Sequence, residues 1–496
     1  MAAKPLTHRN ARIYRRSPPP LLPPQLAREV CLELQDDSVL QKSAVQFFGL
    51  RGAYRDPTST AARLLEQFES LNRSLFSLMD VRLTRLYDGS DVYVVLQAGN
   101  VVGAVPLFSP TSGMLDYGLV IQPRFPWQGI GPMLAEMGWR IAPTPLKLPL
   151  LKRSERRVPP WVISCMVLAR LQALLDSLIR RFELVTENRS APRGRVCWSQ
   201  YATRYLPTGQ FLSVPCTFPD LRDDRLLVGA IRYSLEKQRS ALESQREQGG
   251  FVHQLIAFCD ELLRRVQNNP PFLPPPNMLA SWVQRPLRFQ SFREGLQAIE
   301  WTIEDRGLAG LSDLEGIPWR MPMEQFFEAW VETVFRSLAR AIGAELRVGR
   351  RRETVHPINW EPSYLGSQKA LVPDIWLDWR STTLIVDAKY KRHWDELEDH
   401  AWGSVEEMIR EQHRSDLFQV LAYANLARTD RVIVCLAYPC TPNTWERMMH
   451  RNRVLHKAEI NAGTRSIALW LTAVPMATAV DKICAPLLME VRSAAA

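Results

Sequence analysis

Asp374, Asp387 and Lys389 are the residues whose types and spacing best fit a reaction. Asp387 and Lys389 stand two apart at the end of the apolar run Leu384-Ile385-Val386, and on a strand residues two apart share a face. Asp374 follows Pro373 inside a second β-rich run, Leu371 to Trp379, and the polar turn Arg380-Ser381-Thr382 joins the two runs into an expected hairpin. Two carboxylates on adjacent strands can clamp divalent cations, which neutralise the charge growing on a phosphate and hold an attacking water in line. Magnesium takes hard oxygen ligands and keeps several waters, so Asp374, Asp387 and the carbonyl of Ala388 are a sufficient protein contribution. Lys389 then orients or helps deprotonate the water and screens the developing charge. The chemistry implied is hydrolysis of a phosphodiester. The plainer alternative makes Asp374 a strand end, Asp387 solvated and Lys389 one more surface cation. A D-x-K triplet alone is a weak signal. Two charges in an apolar strand are costly unless they face a site or solvent, and here Pro373-Asp374 lies one hairpin away.

The elements around this hairpin must bring in the other groups. Pro322 to Ala341 reads as an amphipathic helix with Phe326, Phe327, Trp330, Val334 and Phe335 on its apolar side. Glu328 lies beside that stripe and would add a third carboxylate; Glu324, one turn earlier, is the alternative, and either residue can equally be a solvated helix position. A long helix from about Ser404 to Arg428 places Gln419 and Tyr423 on one face, with Asp416 and Arg410 near enough to join them. Arg431 to Tyr438 then reads as a buried strand, so the order is helix, strand, strand, helix, strand. Arg347, Arg350, Arg351 and Arg352 follow the Glu328 helix; they suit phosphate contacts that read no bases, and a solvated turn equally well.

Upstream, Val81 to Tyr87, Val92 to Gln97, Val101 to Leu107 and Gly118 to Ile121 alternate as strands, with turn chemistry at Asp88-Gly89-Ser90 and Ala98-Gly99-Asn100. A small antiparallel sheet or partial barrel is expected there. Helices are expected at Val162 to Arg181, Leu226 to Glu247 and Val252 to Gln267. Proline-rich stretches at Ser17 to Pro24 and Asn268 to Pro276 suit semi-rigid spacers. The expected organisation is a basic Pro-rich tail over 1–28, a β-rich N-terminal domain over 29–160, a mainly helical connecting region over 161–270 and a catalytic domain over 271–496. In fold class this is an α+β N-terminal region, with a small β-rich domain and helices, followed by an α/β domain.

A formal charge of +10, from 62 Lys and Arg against 52 Asp and Glu, makes a polyanion a plausible partner. The eight cysteines are scattered singly, with no CxxC pair or zinc-finger spacing, which fits a reduced, cytoplasmic protein. The basic N-terminus lacks the apolar core of a secretory signal. The most apolar span, Trp161 to Leu184, is interrupted by Arg170, Asp176, Arg180 and Arg181, so no membrane helix is expected. There is no GxxxxGK[ST] phosphate loop, so any nucleotide-driven translocation must come from another polypeptide.

Several segments resemble the McrC family. They are RGRVCWSQY from Arg193, Val214-Pro215-Cys216-Thr217-Phe218, Phe327-Glu328-Ala329-Trp330-Val331, Val372-Pro373-Asp374-Ile375, Val386-Asp387-Ala388-Lys389-Tyr390 and Ser415-Asp416-Leu417-Phe418-Gln419. A thinner match, Gly118 to Arg124, ends in Pro-Arg where the family has Pro-Lys. Together they run in order over roughly residues 80 to 440. The resemblance implies a PD-(D/E)xK restriction-endonuclease-like domain at the C-terminus. It also implies a Mg2+-dependent DNA endonuclease subunit of a McrBC-type system that cuts modified double-stranded DNA in anti-phage defence. The N-terminal part would dock on a hexameric McrB-like AAA+ GTPase and stimulate its hydrolysis. Gln419 and Tyr423 resemble the QxxxY element of RecB-type nucleases, which supports the site and contacts DNA. Arg193 and Arg195 would meet the motor, or else form structural salt bridges. Two other readings stand beside this one: a non-catalytic adaptor that regulates an NTPase, and a RecB-like repair nuclease working with a helicase.

Overall fold

A computed structural model describes residues 30–50, 56–89, 91–138, 141, 143–146, 160–178, 181–222, 224–284, 290–304, 317–391, 407–462 and 465–494. The expected basic tail over 1–28 lies outside these. The chain forms a mixed α/β structure of two compact units, one made of Met1–Val158 with Leu311–Ala496 and the other of Pro159–Gly310. The expected boundary at 271 is therefore not where the units divide. The proline-rich stretch belongs to the second unit because its backbone is tied down: Phe272 N–H donates to the Gly229 carbonyl at 2.9 Å, and Arg232 Nη1 donates to the carbonyls of Gln267 and Asn269 at 2.9 and 2.7 Å.

The first unit contains three main sheets. One has six strands in the order Glu345–Val348, Ile375–Trp379, Thr382–Ala388, Arg431–Cys440, Arg465–Pro475, Leu455–Ala462. Its central pairs are parallel and its outer pairs antiparallel. Thr382–Ala388 is buried along almost its whole length and Arg431–Cys440 on both faces, as strands covered by helices must be. The helix Met323–Ile342 packs on this sheet and buries Phe326, Phe327, Trp330, Val334, Phe335 and Leu338. Each such side chain contributes about 1.5–3 kcal/mol by burial, enough to fix the helix that carries Glu328. The expected order of helix, strand, strand, helix, strand is present. The strand Glu345–Val348 and the C-terminal hairpin Leu455–Ala462 with Arg465–Pro475 were not expected.

The N-terminal strands do not make one antiparallel sheet. Val39–Ser43, Asp91–Ala98 and Val81–Asp88 form a three-stranded antiparallel sheet. Val101–Leu107 and Tyr117–Gln122 join a five-stranded one, in which Val30–Gln35 runs parallel to Tyr117–Gln122 and Trp319–Pro322 pairs with Val101–Leu107. The reason lies in burial. Val101–Leu107 is buried at six successive positions, so it requires a neighbour on each edge, and the second comes from more than two hundred residues downstream.

The second unit holds the helices Pro160–Ser177, Arg225–Glu243, Gly250–Val266, Pro276–Gln284 and Gln290–Ile303, together with a three-stranded sheet of Arg181–Arg189, Val214–Arg222 and Arg195–Val196. Among the described residues no helix is long and apolar enough to cross a membrane.

Candidate active site

The hairpin Ile375–Trp379 with Thr382–Ala388 turns through Arg380, which adopts a left-handed φ of 53°. Asp374 stands at a bend just before the first strand, not inside it as expected. That bend is held from outside. Thr354 Oγ1 donates to the Pro373 carbonyl at 2.6 Å, and Gly349 N–H donates to the Asp374 carbonyl at 2.8 Å. A Cβ on Gly349 would lie 2.5 Å from the Pro373 carbonyl oxygen, so the approach requires glycine. The register pairs Ile375 with Val386, which sets Asp374 beside Asp387 one step further on. Asp374 Oδ2 accepts the Ala388 N–H at 2.8 Å.

Asp387 is 1% exposed, and its Oδ2 lies 2.7 Å from Lys389 Nζ. Lys389 Nζ donates to Gln419 Oε1 at 3.0 Å, and Gln419 Nε2 donates to the Tyr423 hydroxyl at 2.7 Å. The two residues of the helix Glu407–Ala424 thus form a relay ending on Lys389. Tyr423 is itself buried, at 4% exposure, with its hydroxyl on Gln419.

Removal from water raises the pKa of Asp374 well above the ordinary range, and the charges of Asp387 and Glu328 raise it further. Burial likewise raises Asp387, against the opposing pull of Lys389. Burial works against the charge of Lys389, but Asp387, Asp374 and Asp416 outweigh it and leave the ammonium more basic than usual. Glu328, half-buried on its helix, is raised by desolvation and by Glu332, Asp387 and Glu324, with Arg350 opposing. Glu324 is exposed and accepts a hydrogen bond from Asn100 Nδ2 at 3.4 Å. Of the two glutamates, Glu328 is therefore the one whose charge acts on Asp374 and which feels that of Asp387.

The chemistry of this donor set fits a divalent cation. The charges of Asp387 and Glu328 raise the proton affinity of Asp374, and that of Asp387 raises Glu328, an excess of negative charge that a cation relieves. The buried Asp387 Oδ2 is met by the Lys389 ammonium, 2.7 Å away. Among the described residues no three His, Cys, Asp or Glu side chains stand close enough to cage an ion by themselves. Magnesium, which keeps several waters and uses one or two carboxylates, requires no such cage.

Of the basic run, Arg350 is committed elsewhere: its Nη2 lies 2.6 Å from Oε2 of the buried Glu332, which also pairs with Arg336. Arg347 pairs with Asp378 and stacks over Trp376. Arg351 and Arg352 are exposed. Of the other expected neighbours, Asp416 holds Lys391 Nζ at 2.7 Å and accepts from the Tyr438 hydroxyl at 3.0 Å. The side chain of Arg410 lies outside the description.

One set of contacts near the site was not expected. The Tyr390 hydroxyl donates to Asp36 Oδ2 at 2.7 Å, across 354 residues of sequence. Nothing in the local pattern around Asp36 announces this. The signal available was an aromatic directly after Lys389.

In the second unit, Arg193 and Arg195 lie beside the three-stranded sheet. Gly194 between them has a φ of 68°, and a Cβ there would meet the Thr217 carbonyl oxygen at 2.6 Å. The Arg193 guanidinium stacks 4.4 Å over the Phe218 ring, while Arg195 is exposed in the short strand paired with Thr217. The same region exposes large apolar side chains: Leu184, Trp198, Leu206, Phe211 and Leu212, with Leu184 and Leu212 at 78% and 77%.

Comparison with known proteins follows the same lines. No curated protein matches the chain. Among solved structures, a half-complex from a tetradecameric assembly of Thermococcus gammatolerans McrB AAA+ hexamers with bound McrC is 14% identical, with a TM-score of 0.39, over 94% of this chain and 100% of that one. The cryo-EM structure of the Thermococcus gammatolerans McrBC complex is 14% identical, with a TM-score of 0.24, over 62% of this chain and 88% of that one. The family model described as "McrBC 5-methylcytosine restriction system component" matches residues 97–439, a span that holds the hairpin, the Glu328 helix and the Gln419 relay. The chain belongs to the family of McrBC 5-methylcytosine restriction system components.

Proposed function

We propose that this chain is the McrC-type nuclease subunit of a modification-dependent restriction system, with a PD-(D/E)xK active site that uses Mg2+ to hydrolyse double-stranded DNA. The observation that carries the reading is the convergence of Asp374, Asp387, Lys389 and Gln419 from the two arms of the hairpin and a helix onto one largely buried point. A bound Mg2+ would be held by Asp374, Asp387 and the Ala388 carbonyl, with Glu328 adding its charge to the site rather than closing a three-carboxylate cage, and would supply charge neutralisation at the phosphate and a more acidic water. The chain's own residues do the rest. Asp374 is oriented by the Ala388 N–H, so its other oxygen remains available. Lys389 stays protonated between Asp387 and Gln419, which suits it to position the water and to screen the charge that grows on the phosphate. Tyr423 and Gln419 fix the ammonium so that little reorganisation is required during the reaction.

The partner in this reading is a McrB-like AAA+ GTPase, which this chain stimulates and which supplies the nucleotide site that the chain lacks. The exposed apolar residues from Leu184 to Leu212, with Arg195 among them, support a docking surface in the second unit, because soluble proteins seldom leave so many large apolar side chains in water. The deciding experiment is cleavage of methylated and unmethylated plasmid by wild type and Asp387→Ala, with Mg2+ and GTP, with and without the AAA+ protein encoded beside it. Cutting that requires the partner and is lost in the variant supports the nuclease subunit. Stimulated GTP hydrolysis with equal cutting, or with no cutting in any arm, leaves an adaptor.

A further inference from the structure

Tyr390 directly follows Lys389, and its surroundings come from a different sheet. Its hydroxyl donates to Asp36 Oδ2 at 2.7 Å, its carbonyl accepts from Arg124 Nη2 at 3.3 Å, and the Arg124 guanidinium lies 4.1 Å over its ring. Asp36 follows the strand Val30–Gln35 and Arg124 follows the strand Tyr117–Gln122; the two strands are parallel neighbours, so both residues leave the same end of the five-stranded sheet. Asp36 is wholly buried and Tyr390 is 2% exposed, and Arg124 also pairs with Asp37 at 3.0 Å. The Tyr390 ring further packs on Phe327, the residue before Glu328, with centroids 6.0 Å apart.

We propose that Asp36 and Arg124 are positioning residues for the nuclease site, acting through Tyr390 to hold the backbone that sets Lys389 against Asp387 and the helix that carries Glu328. The inference rests on the nuclease reading above. A buried carboxylate, a guanidinium and a phenol brought together from distant parts of the chain form a costly arrangement that apolar packing would replace if only stability were needed. Where such a network touches both elements of a reaction centre, it confers precision on that centre, as hydrogen bonds behind metal ligands do. Burial raises the pKa of both Asp36 and Tyr390, in keeping with a dry contact.

The test uses the full chain with its AAA+ partner, and compares Tyr390→Phe, Asp36→Asn and the double variant with wild type. Turnover on plasmid DNA is measured alongside Mn2+ binding to the full chain by calorimetry and thermal melting. Tyr390→Phe and Asp36→Asn are expected to lower kcat and weaken Mn2+ binding by about 10- to 100-fold, with KM for DNA within about twofold. The double variant is expected to be no worse than either single one, because both remove the same bond. Unchanged kcat and Mn2+ binding overturns the proposal. So does a lower melting temperature with an unchanged Mn2+ dissociation constant, or failure of both single variants to fold, since the contact is then structural only. An Asp387→Ala control that cuts like wild type sinks the nuclease reading instead, and the Mn2+ arm then decides the positioning role of Asp36 and Tyr390 alone.

Discussion

The site in the first unit and the three-stranded sheet in the second break the ordinary burial pattern in opposite directions. Around Thr382–Ala388 the chain places Asp387 in a strand that is buried almost throughout, with Lys389 just beyond its end, and Asp387 has 1% of its surface in contact with water. Around Val214–Arg222 it does the reverse, leaving Leu184, Trp198, Phe211 and Leu212 in solvent. Each departure carries a free-energy penalty: the first through desolvated charge, the second through unburied apolar area. The two penalties are relieved by different things. A buried carboxylate cluster is relieved by a cation, and an exposed apolar surface by another protein. Under the proposed function, chemistry belongs to one region and docking to the other.

If that division holds, damage to one region should spare the work of the other. The largest effect is expected from Asp387→Ala, which should reduce cleavage by about 10³-fold while GTPase stimulation stays near wild type; loss of both activities together would dissolve the distinction. Trp198→Ala combined with Leu212→Ser should weaken binding to the AAA+ partner by about 10- to 100-fold, the range of a binding hot spot of roughly 2 kcal/mol or more. Mn2+ binding to the isolated chain should be untouched in that variant, and calorimetry on both ligands separates the outcomes.

A smaller effect should appear in stability. The Asp374 pKa is raised in the folded chain, so the folded state holds the proton more tightly than the unfolded one. As pH rises from the unfolded value through the folded one, the proton is lost and stability falls with it. Asp374→Asn removes that penalty and can still accept the Ala388 N–H. It should therefore melt higher than wild type at pH 8 in EDTA, with the difference shrinking toward pH 4, while losing cleavage. A variant that melts lower at pH 8 would mean that the charge is not strained. Least of all, Arg351→Gln and Arg352→Gln should each weaken DNA binding uniformly across sequences and lower the salt slope by about 1; no change in slope would place both side chains away from the phosphates.

Much of the site was legible because its signals are local. A strand alternates its faces, so Asp387 and Lys389 had to point together, and a helix places residues four apart on one side, so Gln419 and Tyr423 had to meet. The hairpin followed from two β-rich runs and a polar turn. Other features depend on partners far along the chain. Tyr423 was expected to contact DNA and is buried, because its exposure depends on how the whole helix packs. Arg350 is bound to Glu332, a carboxylate eighteen residues away on a helix whose apolar stripe gave no hint of it. The division into units followed hydrogen bonds on the proline-rich backbone, which composition alone reads as a spacer.

The sequence by itself determined the candidates: which carboxylates and which lysine stand together at the hairpin, and how the hairpin and the two helices present them. Periodicity and residue type are enough for that, since they act over a few positions. Only the tertiary structure decided which glutamate stands with the aspartates, that Trp319–Pro322 completes a sheet begun two hundred residues earlier, and that Asp36 and Arg124 reach Tyr390. Those choices are made by long-range packing, where a strand buried on both faces has to find its second edge and a buried polar group has to find its partner wherever the fold brings one.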